Sequence, residues 1–261
     1  MNITTGIITG TGFYTLPNLS QARQEVVPTP YGNVEAEIAM LGGREIALIA
    51  RHGKQHTIAP AEINFRANIF ALKELGVKRL LASSVCGSLV WGWGPGSLVL
   101  IDQFLNYTSG RAESFYPFNG KLMHIDVTDP YCATLHTHLL ESARDLRIEL
   151  QRGATYACMN GPRFENRAEI NRIRQDGGHL VGHTNFPECV LAREQAICYA
   201  TVGVVSNYAA GMASNILTAT EIMENLQGVG ERLAGLFAQV ILSYPEPKDC
   251  ACQHSLDQAA L

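Results

Sequence analysis

The 261 residues, 46% of them hydrophobic, are enough to bury a large core within one α/β domain. A net charge of -4, with the 20 Lys and Arg scattered along the chain rather than gathered into a stripe, argues against nucleic acid as the main partner and favours a small-molecule substrate. No apolar run approaches the ~18 residues needed to span a bilayer. MNITTGIITGTG carries no basic region ahead of an apolar segment, so the expectation is a cytoplasmic protein with no membrane partner.

Short β-branched or apolar runs alternate with helical periods, the pattern of an α/β fold. GIIT near the start, EIALIA (45–50), RLLASS (79–84), SLVLID (97–102), ATYACM (154–159) and residues 197–206 read as strands. PAEINFRANIFALKELG, from Pro60, reads as one helix with Pro near its first turn and Gly76 as its stop; Ile63, Ile69, Phe70, Leu72 and Leu75 form its apolar positions. PYCATLHTHLLESARDL, from Pro130, reads the same way. Residues 218–242 place Ile222, Leu226, Val229, Leu233, Leu236, Phe237 and Val240 at helical spacing, which predicts one closing helix packed on the sheet. The Pro-rich step at 245–247 divides a domain over 1–244 from a flexible tail over 245–261.

Of seven cysteines, Cys86, Cys132, Cys158, Cys189 and Cys198 sit in or beside apolar segments and read as reduced core thiols. The tail adds Cys250, Cys252 and His254 in CACQH. Three soft ligands fall short of the four that structural zinc takes, so no metal is expected there.

Polar and glycine-rich clusters follow several strands. GTG at Gly10–Gly12 lets backbone N–H groups converge on an anion, with Thr11 adding a hydroxyl. A dinucleotide site would need a third glycine near Thr15 and an acid about 20 residues further on, and neither is present. ARHGKQH (50–56) offers the forked cation of Arg51 and the rings of His52 and His56 as donors. SSVCGS (83–88) and GHTN (182–185) add hydroxyls at two further strand ends. If these strands are parallel neighbours, their carboxyl ends form one anion pocket. GPRFENRAEI (161–170) leads through Phe164 and Glu165 into a helix. VVSNYAAG (204–211) ends a core strand on an uncharged amide, Asn207, beside small residues.

Together GIITGTG, TPYG, RHG with INFRAN, VCGSL, GPRFE with RAE, and GHTNFPECVLARE with ICYA resemble, in that order, the trimeric branch of the purine nucleoside and 5'-methylthioadenosine phosphorylases. The resemblance implies a single-domain nucleoside-phosphorylase-like fold, a central mixed twisted sheet flanked by helices. It also implies attack of orthophosphate on the sugar C1' as the purine departs, in a homotrimer with shared active sites and with no cofactor beyond that co-substrate. Carried over, phosphate would be held by Thr11, Arg51, His52, Ser84 with the backbone of Val85, and Thr184, with Arg51, His52 and Asn207 as the catalytic set. The base would stack near Phe164 and meet Glu165 and Asn207. Ala219 and Ile222 would line an apolar 5' pocket, which His124 covers from a neighbouring subunit.

Two positions depart from adenine-specific members, which carry aspartates where this chain has Asn207 and Ala209. A carboxamide can donate to a 6-oxo group and accept from N7–H, and an ionised Glu165 can accept N1–H. The expectation is therefore a 6-oxopurine substrate, with the 5'-methylthio nucleoside preferred by the apolar pocket. His183 stands where the family usually has methionine beneath the ribose; it could bond a sugar hydroxyl or mark altered specificity or lost activity. Other readings are an adenine-preferring phosphorylase, a general inosine and guanosine phosphorylase, a hydrolytic nucleosidase and a nucleoside-binding protein without turnover.

Overall fold

Consecutive strand residues point to opposite faces of a sheet, and in this chain both faces are covered. Ile7, Ile46, Leu48 and Leu81 enter one apolar cluster, whereas Ile8, Ala47, Ile49, Leu80 and Ala82 enter another. That two-sided burial is why GIIT, EIALIA and RLLASS are unbroken apolar runs.

The computed structural model describes residues 3–13, 15–116, 122–213, 218–244, 249–257 and 259. Among these, the strands are β1 (Thr5–Thr9), β2 (Ser20–Val27), β3 (Val34–Leu41), β4 (Arg44–Ala50), β5 (Arg79–Ser88), β6 (Leu98–Asn106), β7 (Leu150–Cys158), β8 (Leu180–Gly182) and β9 (Cys198–Tyr208). They form one mixed sheet in the order β2-β3-β4-β1-β5-β8-β7-β6-β9, and β9 also pairs with β5. The strands from β5 to β9 thus close on themselves as a ring, which leaves no free edge on that side. β4, β3 and β2 extend beyond β1 as an open wing.

Helices α1 (Phe65–Glu74) and α4 (Glu188–Glu194) cover one face through Ile69, Leu72 and Leu191. On the other face lie α2 (Ala133–Asp145) and, later in the chain, α6 (Val229–Ser243), through Leu135, Leu139, Leu233 and Phe237. Between them come α3 (Arg167–Gln175) and α5 (Ala219–Asn225). No helix among the described residues is long and apolar enough to cross a membrane.

Three expectations change. The helix expected from Pro60 begins as a 3-10 turn over Pro60–Glu62, breaks at the extended backbone of Ile63, and restarts at Phe65, where the Asn64 side chain accepts from Ala67 N–H. The closing helix is two, α5 and α6, parted where Gly228 adopts a left-handed φ of 73°. The tail is not wholly loose: Cys250 and Cys252 are buried in the cluster that α2 and α6 cover, beside Cys132 and Cys198. The step at 245–247 lies outside the described residues.

Candidate active site

β1 runs parallel to β4 and to β5, and β5 runs parallel to β9, so the carboxyl ends of these strands open on one side of the sheet. There the chain leaves β1 at Gly10 and Thr11 and β4 at Arg51, and Asn207 is the next-to-last residue of β9. β8 does not follow the expected parallel arrangement. It is antiparallel to β5, with Gly87 opposite Val181 and Ser88 opposite Leu180, so it runs back along β5 and delivers His183 and Thr184 toward Ser84. Ser84 Oγ and Thr184 Oγ1 lie 3.0 Å apart as a result.

These ends enclose a cavity of about 460 Å³. Thr11, Arg51, His52, Val85 and Thr184 line one end of it; Phe164, Glu165, His183, Asn207, Ala209 and Ile222 also line it. The strand ends place the first group together, and the second comes from the loop before α3, the residue after β8, the end of β9 and α5.

At the first end Arg51 is only 2% exposed, and its charge is met by a carboxylate the sequence did not single out. Nε donates to Glu188 Oε2 at 2.8 Å, Nη2 donates to Glu188 Oε1 at 2.7 Å, and Nη1 donates to the Ser83 carbonyl at 2.7 Å. Tyr199 Oη donates to the same Glu188 Oε1 at 2.8 Å. Burial opposes the guanidinium charge, and Glu188 more than offsets it, holding the Arg51 pKa above its ordinary value. Of its five N–H groups, the two not used in these bonds remain for a ligand, one on each terminal nitrogen.

His52 is an acceptor in this site rather than the donor expected. Its Nδ1 lies 2.8 Å from the Ile58 carbonyl, which can only accept, so Nδ1 carries the proton and Nε2 keeps its lone pair. Burial, with the nearby Arg51 charge, lowers its pKa to about 4, so the ring is neutral near pH 7. His56 packs against it with ring centroids 4.6 Å apart and reaches Thr11 Oγ1 at 3.3 Å.

Ser84 is buried beside the cavity residues Val85 and Thr184. Its hydroxyl joins Tyr156 Oη at 2.9 Å and Thr184 Oγ1 at 3.0 Å, so Ser84 orients Thr184, which does line the cavity. Tyr156 was not foreseen; burial raises its pKa and keeps its phenol protonated. Gly182 makes room for it, since a Cβ there would lie 2.1 Å from the Tyr156 oxygen.

At the other end, His183 Nε2 lies 3.2 Å from Glu165 Oε1, and both side chains are largely buried. His183 therefore engages a neighbouring carboxylate in the cavity, Glu165. Gly161 permits this approach: it has a left-handed φ of 66°, and a Cβ there would sit 2.7 Å from His183 Nδ1. Arg111, also unforeseen, secures the His183 segment by donating from Nη2 to the His183 carbonyl at 2.8 Å and from Nη1 to the Phe186 carbonyl at 2.6 Å.

Asn207 is not a free amide. Its Oδ1 accepts from Ser206 Oγ at 2.6 Å and its Nδ2 donates to the Tyr208 carbonyl at 2.8 Å, which fixes which end is oxygen and leaves one lone pair and one N–H. One expected residue, His124, is not among those that line the cavity of its own chain. His124 is exposed, with its backbone N–H donating to the Ala259 carbonyl at 2.8 Å. Ala219 opens α5, but its side chain lies outside the described part of the structure.

Residues 4–242 match the Phosphorylase superfamily. The chain is 42% identical over 259 residues to the 6-oxopurine nucleoside phosphorylase of Pyrococcus furiosus, covering 97% of each chain. It is also 42% identical to the probable S-methyl-5'-thioinosine phosphorylase of Methanopyrus kandleri, covering 97% of this chain and 98% of that one. Among solved structures, a methylthioadenosine phosphorylase sourced from an antarctic soil metagenomic library superimposes with a TM-score of 0.92 at 31% identity, covering all of this chain and 93% of that one. With the strand-end cavity and near-complete alignment in agreement, the chain belongs to the phosphorylase superfamily and is an enzyme of the nucleoside phosphorylase type.

Proposed function

We propose that the protein carries out phosphorolysis of 6-oxopurine nucleosides, with S-methyl-5'-thioinosine preferred, giving hypoxanthine and 5-methylthioribose 1-phosphate. Relatives of equal identity bear both 6-oxopurine nucleoside and methylthioinosine names, so the finer choice rests on the site. The observation that carries it is the hydrogen-bond polarity of the base end. Glu165 Oε1 lies 3.2 Å from His183 Nε2 at this end, and an ionised carboxylate there is an acceptor suited to N1–H and unsuited to the N1 lone pair of adenine. The spare Nδ2–H of Asn207 suits O6, and the spare lone pair of Oδ1 suits N7–H. A site built on specific hydrogen bonds can reject a mismatched partner by roughly 10⁴-fold or more.

Phosphate binds at the other end. The unused N–H groups of Arg51, with the hydroxyls of Thr11 and Thr184, meet its anionic oxygens, and neutral His52 Nε2 accepts from the P–OH of the monohydrogen form. A phosphate oxygen forms the bond to C1' as the C1'–N9 bond breaks. The electron pair passes to the purine, which takes a proton at N7 from solvent as the phosphate P–OH gives one up, and the phosphate charge stabilises the cationic sugar. Phosphate is thus the co-substrate, and no other cofactor enters this scheme.

Ile222 gives the cavity an apolar wall for a methylthio group. His124, exposed and away from its own cavity, is suited to cover the pocket of another copy in a homotrimer, a state that light scattering coupled to size exclusion would test. Incubation with methylthioinosine should release hypoxanthine only when phosphate is present, and faster than from inosine. Release without phosphate would replace this reading with hydrolysis.

A further inference from the structure

The described residues bring together four buried cysteines that are far apart in the chain: Cys132, Cys198, Cys250 and Cys252. Cys132 caps the N-terminus of α2, Cys198 begins β9, Cys250 precedes a 3-10 turn over Ala251–His254, and Cys252 lies in that turn. Their sulfur atoms all lie within 4.8 Å of one another, and those of Cys132 and Cys250 are 3.6 Å apart. Four thiolates held tetrahedrally by zinc at about 2.3 Å sit about 3.8 Å from each other.

We infer that Cys132, Cys198, Cys250 and Cys252 form a structural zinc site that fastens the C-terminal segment to the domain.

Polar groups already face the sulfurs as a zinc–thiolate centre requires. Leu135 N–H donates to Cys132 Sγ at 3.5 Å, Arg193 Nη1 donates to Cys252 Sγ at 3.8 Å, and Thr134 Oγ1 lies 3.7 Å from Cys250 Sγ. Zinc with four thiolates carries a net negative charge, which Arg193 and the N-terminal end of α2 offset. Zinc displaces four thiol protons to solvent as it binds.

His254, which sequence spacing offered as a third ligand, is engaged elsewhere. Its Nδ1 and Nε2 lie 2.8 Å from Asp257 Oδ2 and Asp249 Oδ1. Cys132 and Cys198 supply what CACQH lacks. The described part of the segment after residue 248 buries Cys250, Cys252 and Ala259, little apolar surface with which to order a chain end. A metal crosslink provides the missing anchor, and soft sulfur ligands in tetrahedral array select zinc over hard cations.

The test is metal analysis of full-length, tag-free protein prepared without chelator. One tightly held zinc per chain is expected, released by a thiol-blocking mercurial, and cobalt substitution should give the thiolate charge-transfer and tetrahedral bands. Cys252→Ser and Cys250→Ser should each lose the zinc. If those variants fail to fold, the cobalt spectrum of the wild-type protein decides. Metal-free protein whose four thiols react freely, an intact mass with two disulfides, iron in place of zinc, or zinc retained in both variants would overturn the inference.

Discussion

Arg51 and Glu188 face each other at 2.7 and 2.8 Å with both side chains almost wholly buried, whereas at the base end Phe164 is 40% exposed and Glu165 meets His183 at 3.2 Å. The anion end is held by strand termini and a buried ion pair, an arrangement suited to the one small dianion proposed for it. The base end is held by a loop and the last residues of β9, where single side chains decide which purine fits. The ion pair belongs to stability as much as to chemistry, and the base contacts belong to selectivity. Substitutions at the two ends should separate along that line.

The largest effect is expected from Glu188→Ala, which leaves a buried guanidinium unpaired. Loss of one partner of such a pair costs about 3–5 kcal/mol, so the urea midpoint should fall sharply and the KM for phosphate should rise. Unchanged stability would show that the pair is not what holds the anion end. Next, Asn207→Asp should shift the ratio of methylthioadenosine to methylthioinosine turnover toward adenine by about 10- to 100-fold, the worth of one hydrogen bond to a charged group, with little change in stability.

His183→Met removes one hydrogen bond to Glu165 and should weaken nucleoside binding by about 1 kcal/mol while sparing the KM for phosphate. Steady-state kinetics with each substrate varied would expose any spill-over between the two ends. A separate effect is a change in the slope of stability with pH. The pKa of His52 is about 4 in the folded protein and about 6.5 in an unfolded chain, so the unfolded state holds more protons between these values. The contribution of His52 to stability is therefore complete above about pH 6.5 and declines as pH falls toward 4. His52→Asn should flatten that part of the curve in denaturant titrations at several pH values.

The same contrast explains what could be read from the sequence. Thr11, Arg51, Thr184 and Asn207 stand at or just beyond the ends of apolar runs, where side-chain chemistry shows against its background, and they do converge on one cavity. Glu188 and Tyr156 sit inside segments that read as core, and their roles depend on partners 137 and 72 residues away. Local spacing carries no trace of such contacts. β2 does not read as a strand because its sequence SQARQEVV is polar and mostly exposed on the open wing, and β8 shows only as the strand end before GHTN because three residues are too few to show a period. The split between α5 and α6 was signalled only by glycines within an otherwise helical pattern, and the four-cysteine cluster joins three segments that no spacing rule connects.

The central claim, that the base end is polarised for a 6-oxopurine, meets its most direct test in a competition assay. Equimolar methylthioinosine and methylthioadenosine are mixed with excess phosphate, and the free bases are followed by chromatography. Hypoxanthine should accumulate while methylthioadenosine remains, because the early product ratio equals the ratio of the two kcat/KM values. Adenine appearing first, or at an equal rate, would contradict the roles given to Glu165 and Asn207.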